Sequence, residues 1–365
     1  MRKFTGLHIL LILSVIAVFA SFSRSTVLRA QTEKTSPAAA KASPTPDDVV
    51  PEDDEPLKID TELVNVLFTA ADGSRRFVTD LKKEDIRILE DGQPQEIFTF
   101  YRQVDLPLSL AILIDTSFSQ ERTLPEEKEA AKSFLEDVVR ASKDEVAILT
   151  FTGETTLEQG LTGNLQRLRN AVDRVRFVTP AGYIGGGVST GTPPISGKGA
   201  QISGSTAIWD AIWVTSSDVL REAPQGTRRA IILISDGVNT YGSKQLSDAV
   251  NQAIKSDALI YCIGIGDDYY SGVNEGALKK LSENTGGRAY FPRNENELRH
   301  AFTQIQIDLR SQYLLAYEPS NPKKDGTYRK IQIETTNPAL SKQKIKFVHR
   351  QGYFARTESA KPAKK

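Results

Sequence analysis

The chain has 365 residues, of which 39% are hydrophobic, enough for a substantial core and too many for a disordered protein. Its 46 basic and 46 acidic residues cancel; four of the basic ones fall in the first 30 residues, so the remainder is slightly acidic and offers nothing that favours nucleic acid. The single cysteine, Cys262, excludes an intrachain disulfide and, within the apolar run "ALIYCIGIG", reads as a small buried hydrophobe.

Residues 1–30 begin with Arg2 and Lys3 ahead of an apolar stretch from Leu7 to Phe22, followed by small residues. This is the pattern of a signal peptide, so we expect an exported protein of the periplasm, cell envelope or exterior. Cleavage after Ala20 or Ala30 would release it, whereas an uncleaved segment would serve as a membrane anchor, the only route to a membrane that this sequence offers. Residues 31–56 combine five prolines with an acidic run ending at Glu55, which predicts a disordered linker.

Residues 57–104 carry the alternating stretches "LVNVLFTA", "FVTDL", "DIRILEDG" and "QEIFTFY", with turn signals at Asp72-Gly73 and Asp91-Gly92. They predict a small β segment too short for its own core.

Residues 105–310 follow another rhythm. Buried-type strands at 108–114, 146–151, 230–235 and 258–266 are separated by helical patterns at 125–140, 164–175, 206–221, 244–256 and 274–284. A short strand "RAYF" and a helix from Glu295 to Leu309 close the region. This alternation predicts an α/β fold with a doubly wound, mostly parallel sheet. Residues 179–204 interrupt it with eight glycines, which predicts a mobile surface loop. Its "SGKG" is no phosphate-binding loop, because no strand leads in and Gly199 stands where a hydroxyl is required.

Residues 311–356 alternate once more, around a turn at Asp325-Gly326, and predict two or three antiparallel strands. We expect them to join the 57–104 segment in one antiparallel β unit flanking the α/β domain, with residues 357–365 as a frayed tail.

In an open parallel sheet, ligands bind beyond the carboxyl ends of the strands. Asp115, Ser117 and Ser119 stand there in "LAILIDTSFSQER", Asp236 stands there in "LISDGVNTYG", and Thr206 opens a helix after the glycine-rich loop. Each could be an ordinary helix cap. As a set, two carboxylates and three hydroxyls suit a hard divalent cation, Mg²⁺ or equally Mn²⁺ or Ca²⁺, that keeps some water.

"DTSFS" at 115–119, "GST" at 204–206 and "SDG" at 235–237 resemble the metal-ion-dependent adhesion site (MIDAS) of von Willebrand factor A (VWA) domains. The resemblance covers residues 105–310; the flanking segments further resemble an exported, acidobacterial-type VWA-related subfamily. It implies that Ser117, Ser119 and Thr206 contact the metal directly, with Asp115 and Asp236 acting directly or through water, and that an acidic residue of a protein partner completes the coordination. Phe118, where a small residue is common, and the long loop before Thr206 depart from that pattern and bear on partner type.

The function this implies is protein binding through a metal site in the cell envelope. The alternatives are a structural envelope component with a vestigial site and, less favoured, a hydrolase. No enzyme is expected, because beyond residue 30 only His300 and His349 remain, and neither lies near a serine or acid in a catalytic pattern.

Overall fold

The computed structural model describes residues 63–74, 76–103, 106–178, 183–184, 187–188, 205–224, 226–266 and 272–357. The expected signal segment, the acidic linker and the C-terminal tail from residue 358 lie outside the described residues, as does the 179–204 loop apart from a two-residue hairpin pairing Tyr183–Ile184 with Gly187–Val188. Among the described residues no helix is long and apolar enough to cross a membrane.

The first strands are β1 (Val64–Ala71), β2 (Ile86–Glu90), β3 (Gln93–Gln95) and β4 (Ile97–Gln103). Asp91 and Gly92 both have positive φ, 48° and 82°, which lets a two-residue turn match the twist of β2 and β3. "FVTDL" forms no strand: Phe77 makes only an isolated bridge to Ala71.

The central region contains β5 (Leu108–Asp115), α1 (Leu124–Val138), β6 (Glu145–Phe151), β7 (Thr155–Thr162) and α2 (Leu165–Arg174). After the glycine-rich segment come α3 (Ile208–Val214), β8 (Arg228–Ser235), α4 (Leu246–Lys255), β9 (Ala258–Gly264), α5 (Glu275–Thr285), β10 (Ala289–Tyr290) and α6 (Glu295–Arg310). The sheet order is β10-β9-β8-β5-β6-β7, parallel throughout except for antiparallel β7. β5 is buried on both faces because strand alternation sends Leu110, Ile112 and Ile114 toward α1, α2 and α6, and Ala111 and Leu113 toward α3, α4 and α5. Each such aliphatic side chain contributes about 1.5–3 kcal/mol by leaving water.

Two segments differ from the sequence reading. The helix expected over 206–221 is regular only to Val214; a π-turn (Thr215–Val219) and a 3₁₀ turn (Leu220–Glu222) follow. There the Thr215 hydroxyl donates to the Ala211 carbonyl at 2.7 Å, competing with the helix's own ladder. β7 was not expected, since its sequence, "TTLEQGLT", has few apolar residues; as an edge strand it needs no two-sided burial.

The C-terminal strands are β11 (Gln312–Tyr317), β12 (Tyr328–Thr335), β13 (Lys346–His349) and β14 (Gly352–Phe354), with a short helix, α7 (Pro338–Lys342), between β12 and β13. They interleave with the N-terminal strands in two antiparallel sheets, β13-β1-β11-β4 and β14-β12-β2-β3. Val66, Phe68, Ile88, Tyr313, Leu315 and Ile331 share one core across both sheets. Within it Glu90 pairs with Arg329 at 3.2 Å, each 3% exposed, and accepts hydrogen bonds from the Tyr317 and Tyr353 hydroxyls at 2.7 and 2.9 Å. Because β1 and β4 find their strand partners only beyond residue 311, and β2 keeps only the three-residue β3 within its own segment, residues 57–104 expressed alone should show no cooperative thermal transition by circular dichroism. A cooperative melt of that fragment would refute this coupling.

Candidate functional site

β5 delivers Asp115 as its last residue, 0% exposed, and the chain turns at once because the Ser117 amide donates back to Asp115 Oδ1 at 2.9 Å. The turn brings the hydroxyls of Ser117 and Ser119 to 3.2 Å from each other. β8, hydrogen-bonded alongside, ends in Ser235, whose hydroxyl donates to Asp115 Oδ2 at 2.6 Å. Asp236 follows, 3% exposed, with Oδ1 accepting from the Val238 amide at 2.9 Å and its carboxylate in hydrogen-bonding reach of Ser119.

Thr206 joins from a third segment. Its amide donates to the Thr240 hydroxyl at 2.8 Å, and its carbonyl accepts from the amides of Thr240 and Tyr241, so the segment leading into α3 is tied to the loop after Asp236. The adjacent Ala207 amide donates to the Thr152 carbonyl just beyond β6. Two glycines make the Asp236 loop possible. Gly237, with φ of 78°, leaves no room for a Cβ, which would lie 2.8 Å from Leu278 Cγ. Gly242, with φ of 115°, approaches Asp210, which accepts from the amides of Ser243 and Lys244 and the Ser243 hydroxyl.

The five residues singled out from the sequence thus stand on three segments at the carboxyl end of one sheet. Asp115, Ser117, Ser119 and Asp236 form a connected network, and Thr206 is tied to it through the 236–241 backbone. Ser235 is an addition: it lay inside "SDG", but only the geometry reveals that it fixes the rotamer of Asp115.

The electrostatics are those of a site short of positive charge. Burial, with a smaller contribution from the Asp236 charge, pushes Asp115 up to about 7; burial also raises Asp236. Nearby on α1, Glu127 is 0% exposed and pushed up to about 8 by burial, with Asp115 and Asp236 adding to the shift. No group of three carboxylate, imidazole or thiol side chains reaches metal-ligand spacing among the described residues. The donors that meet are instead two carboxylates and several hydroxyls, a hard-oxygen set suited to a divalent ion that keeps water.

A doubly wound sheet with such a rim belongs to the class of α/β domains that bind ligands at the carboxyl ends of their strands. The sequence comparisons narrow this: von Willebrand factor type A domain families match residues 110–239 and 198–304. The chain therefore contains a von Willebrand factor type A domain.

Among solved structures, BatB from Bacteroides thetaiotaomicron is similar at 18% identity and a TM-score of 0.41, covering 55% of this chain and 98% of its own. Proximal thread matrix protein 1 of the mussel byssus, in a structure described as having a zinc-occupied MIDAS motif, gives 17% identity and a TM-score of 0.45. That match covers 60% of this chain and 49% of the mussel protein, so the chain spans about half of that relative. A von Willebrand factor type A protein from Catenulispora acidiphila gives 13% and 0.45, over 82% and 74% of the two chains. No curated protein sequence matches the chain.

Proposed function

We propose that this is an exported binding module, not an enzyme, that captures an acidic residue of a protein partner on a divalent ion held by Asp115, Ser117, Ser119, Thr206 and Asp236. The observation that carries this reading is the convergence of those residues at the carboxyl ends of β5 and β8, with Asp115 and Asp236 both buried and neither paired with a cation among the described residues. Von Willebrand factor type A domains commonly bind a divalent metal at such a site and generally mediate protein–protein interaction.

Two aspartates balance one divalent ion without filling its six positions, so the ion retains exchangeable water and accepts one more anionic oxygen. His300 lies exposed on α6 and His349 lies on β13, neither of which supplies a residue to this rim. A groove of about 480 Å³ opens where α1 begins, lined by Leu124, Pro125, Val175 and Phe177 together with charged residues such as Glu121, Lys128 and Arg176, and would offer mixed apolar and charged contact to a partner. Phe118 would add to it.

If the dissociation constant for Mg²⁺ is about 1 mM, 10 mM Mg²⁺ stabilises the domain by about 1.4 kcal/mol, a rise of about 3–6 °C in melting temperature. Differential scanning calorimetry should find this shift in the parent and its loss in Asp115→Ala. Affinity capture from envelope extract should then depend on metal: partners held in Mg²⁺ and released by EDTA, and not held by Asp115→Ala or Thr206→Ala. Equal capture across those conditions would exclude the metal face as the binding surface.

A further inference from the structure

Glu127 is the most unusual polar group in the α/β domain. It sits in the first turn of α1, fully buried, and neither carboxylate oxygen completes a hydrogen bond. The Thr123 hydroxyl, which acts favourably on the charged form of this carboxyl, donates its hydrogen bond instead to Gln120 Oε1 at 3.0 Å. A buried carboxyl whose oxygens complete no hydrogen bond is costly, and this one stands in the otherwise apolar stripe of Leu124, Ala131, Phe134 and Val138. Its charged surroundings deepen the puzzle, because the nearby acidic groups Asp115, Asp236 and Glu126 all act on it unfavourably.

A single addition relieves all three buried acids together: a cation at the carboxyl end of β5 and β8. Resting on the metal-site reading above, we propose that Glu127 is a sixth side chain of that site, a carboxylate that holds the ion's own water from the α1 side. The contact is through water because no three carboxylates reach metal-ligand spacing among the described residues. The start of α1 favours the anion further, through the positive end of the helix dipole. A strongly hydrated ion that keeps its inner water, such as Mg²⁺, gains most from this arrangement; Ca²⁺, which sheds water readily, gains less.

The test is calorimetric titration of Mg²⁺ and of Ca²⁺ into the parent, Glu127→Gln, Glu127→Leu and Asp115→Ala, with melting temperatures taken in EDTA. We expect both Glu127 variants to bind Mg²⁺ about 10-fold or more weakly than the parent, the size typical of lost outer-sphere support, with a smaller loss for Ca²⁺. Their melting temperatures in EDTA should equal or exceed the parent's. A Glu127→Gln variant that binds Mg²⁺ within twofold of the parent, while Asp115→Ala does not bind, would overturn this inference and leave the metal site standing. A Glu127→Gln variant melting well below the parent in EDTA would make the carboxyl a structural acid and would also overturn it. A parent that binds no divalent ion would remove the metal site and this role together.

Discussion

In EDTA at pH 8, Asp115→Asn should melt above the parent, by about 4–8 °C, although the substitution removes the central acid of the site. Burial raises Asp115 to about 7 from an ordinary value of 3.8, so the folded protein holds this proton more tightly than the unfolded chain. The stability linked to it is fully present below about pH 4 and is lost as the pH rises through 7. A rise from 3.8 to about 7 would correspond to about 4 kcal/mol; allowing for relaxation, we expect about 2–4 kcal/mol. Asparagine escapes this cost because it carries no charge and can still accept from the Ser117 amide. In 10 mM Mg²⁺ the gap should narrow by about 1.4 kcal/mol, since only the parent gains. Melting curves of both proteins from pH 5 to 8, with and without Mg²⁺, check this; a parent whose metal-free stability does not fall across that range would refute the assignment of a buried, unpaired charge.

That such a charge would sit at Asp115 was legible in the sequence, because an unbroken apolar run can be buried on both faces only in a parallel sheet, and the first polar residues after it must fall at the sheet's carboxyl rim. The same reasoning placed Asp236 after Ile234 and Ser235. Glu127 was less visible, as "LPEEKEAAKSFL" reads as a solvated helix start. The signal was there in the spacing: 124, 127, 131, 134 and 138 form one stripe, and Glu127 is its only charged member. β7 escaped for a different reason, since an edge strand with half-exposed faces has no apolar alternation to betray it. The pairing of the terminal segments could be inferred from their insufficient length, but the division into two sheets depends on long-range register, which no local pattern carries.

At the opposite end of β5, the expected result is a loss. Asp144, with its side chain fully buried, accepts from the Leu108 amide at 2.9 Å, from the Arg140 amide and guanidinium at 2.9 Å, and from Arg310 at 2.6 Å. Arg140 also donates to the Leu106 carbonyl and Arg310 to that of Val138, so one carboxylate fastens the start of β5, the end of α1 and the end of α6. Burial alone would raise Asp144, but the hydrogen bonds from Arg140 and Arg310 outweigh it and hold the carboxyl well below its ordinary range. Asp144→Ala leaves two guanidiniums and the Leu108 amide without their acceptor, which costs about 3–5 kcal/mol. For a folded unit of this size that is a fall of about 6–12 °C in melting temperature. The pH dependence has the opposite sign to that of Asp115: a depressed carboxyl contributes its stability above about pH 4 and loses it only as the pH falls below that. The difference between parent and Asp144→Ala should therefore be constant from pH 5 to 8 and shrink in stronger acid. It should also be indifferent to Mg²⁺, because Asp144 lies at the far end of the strand from the proposed metal site. Urea denaturation of both proteins at pH 7 and pH 3 measures the difference directly, and a deficit under 1 kcal/mol at pH 7 would show that the two arginines find other acceptors.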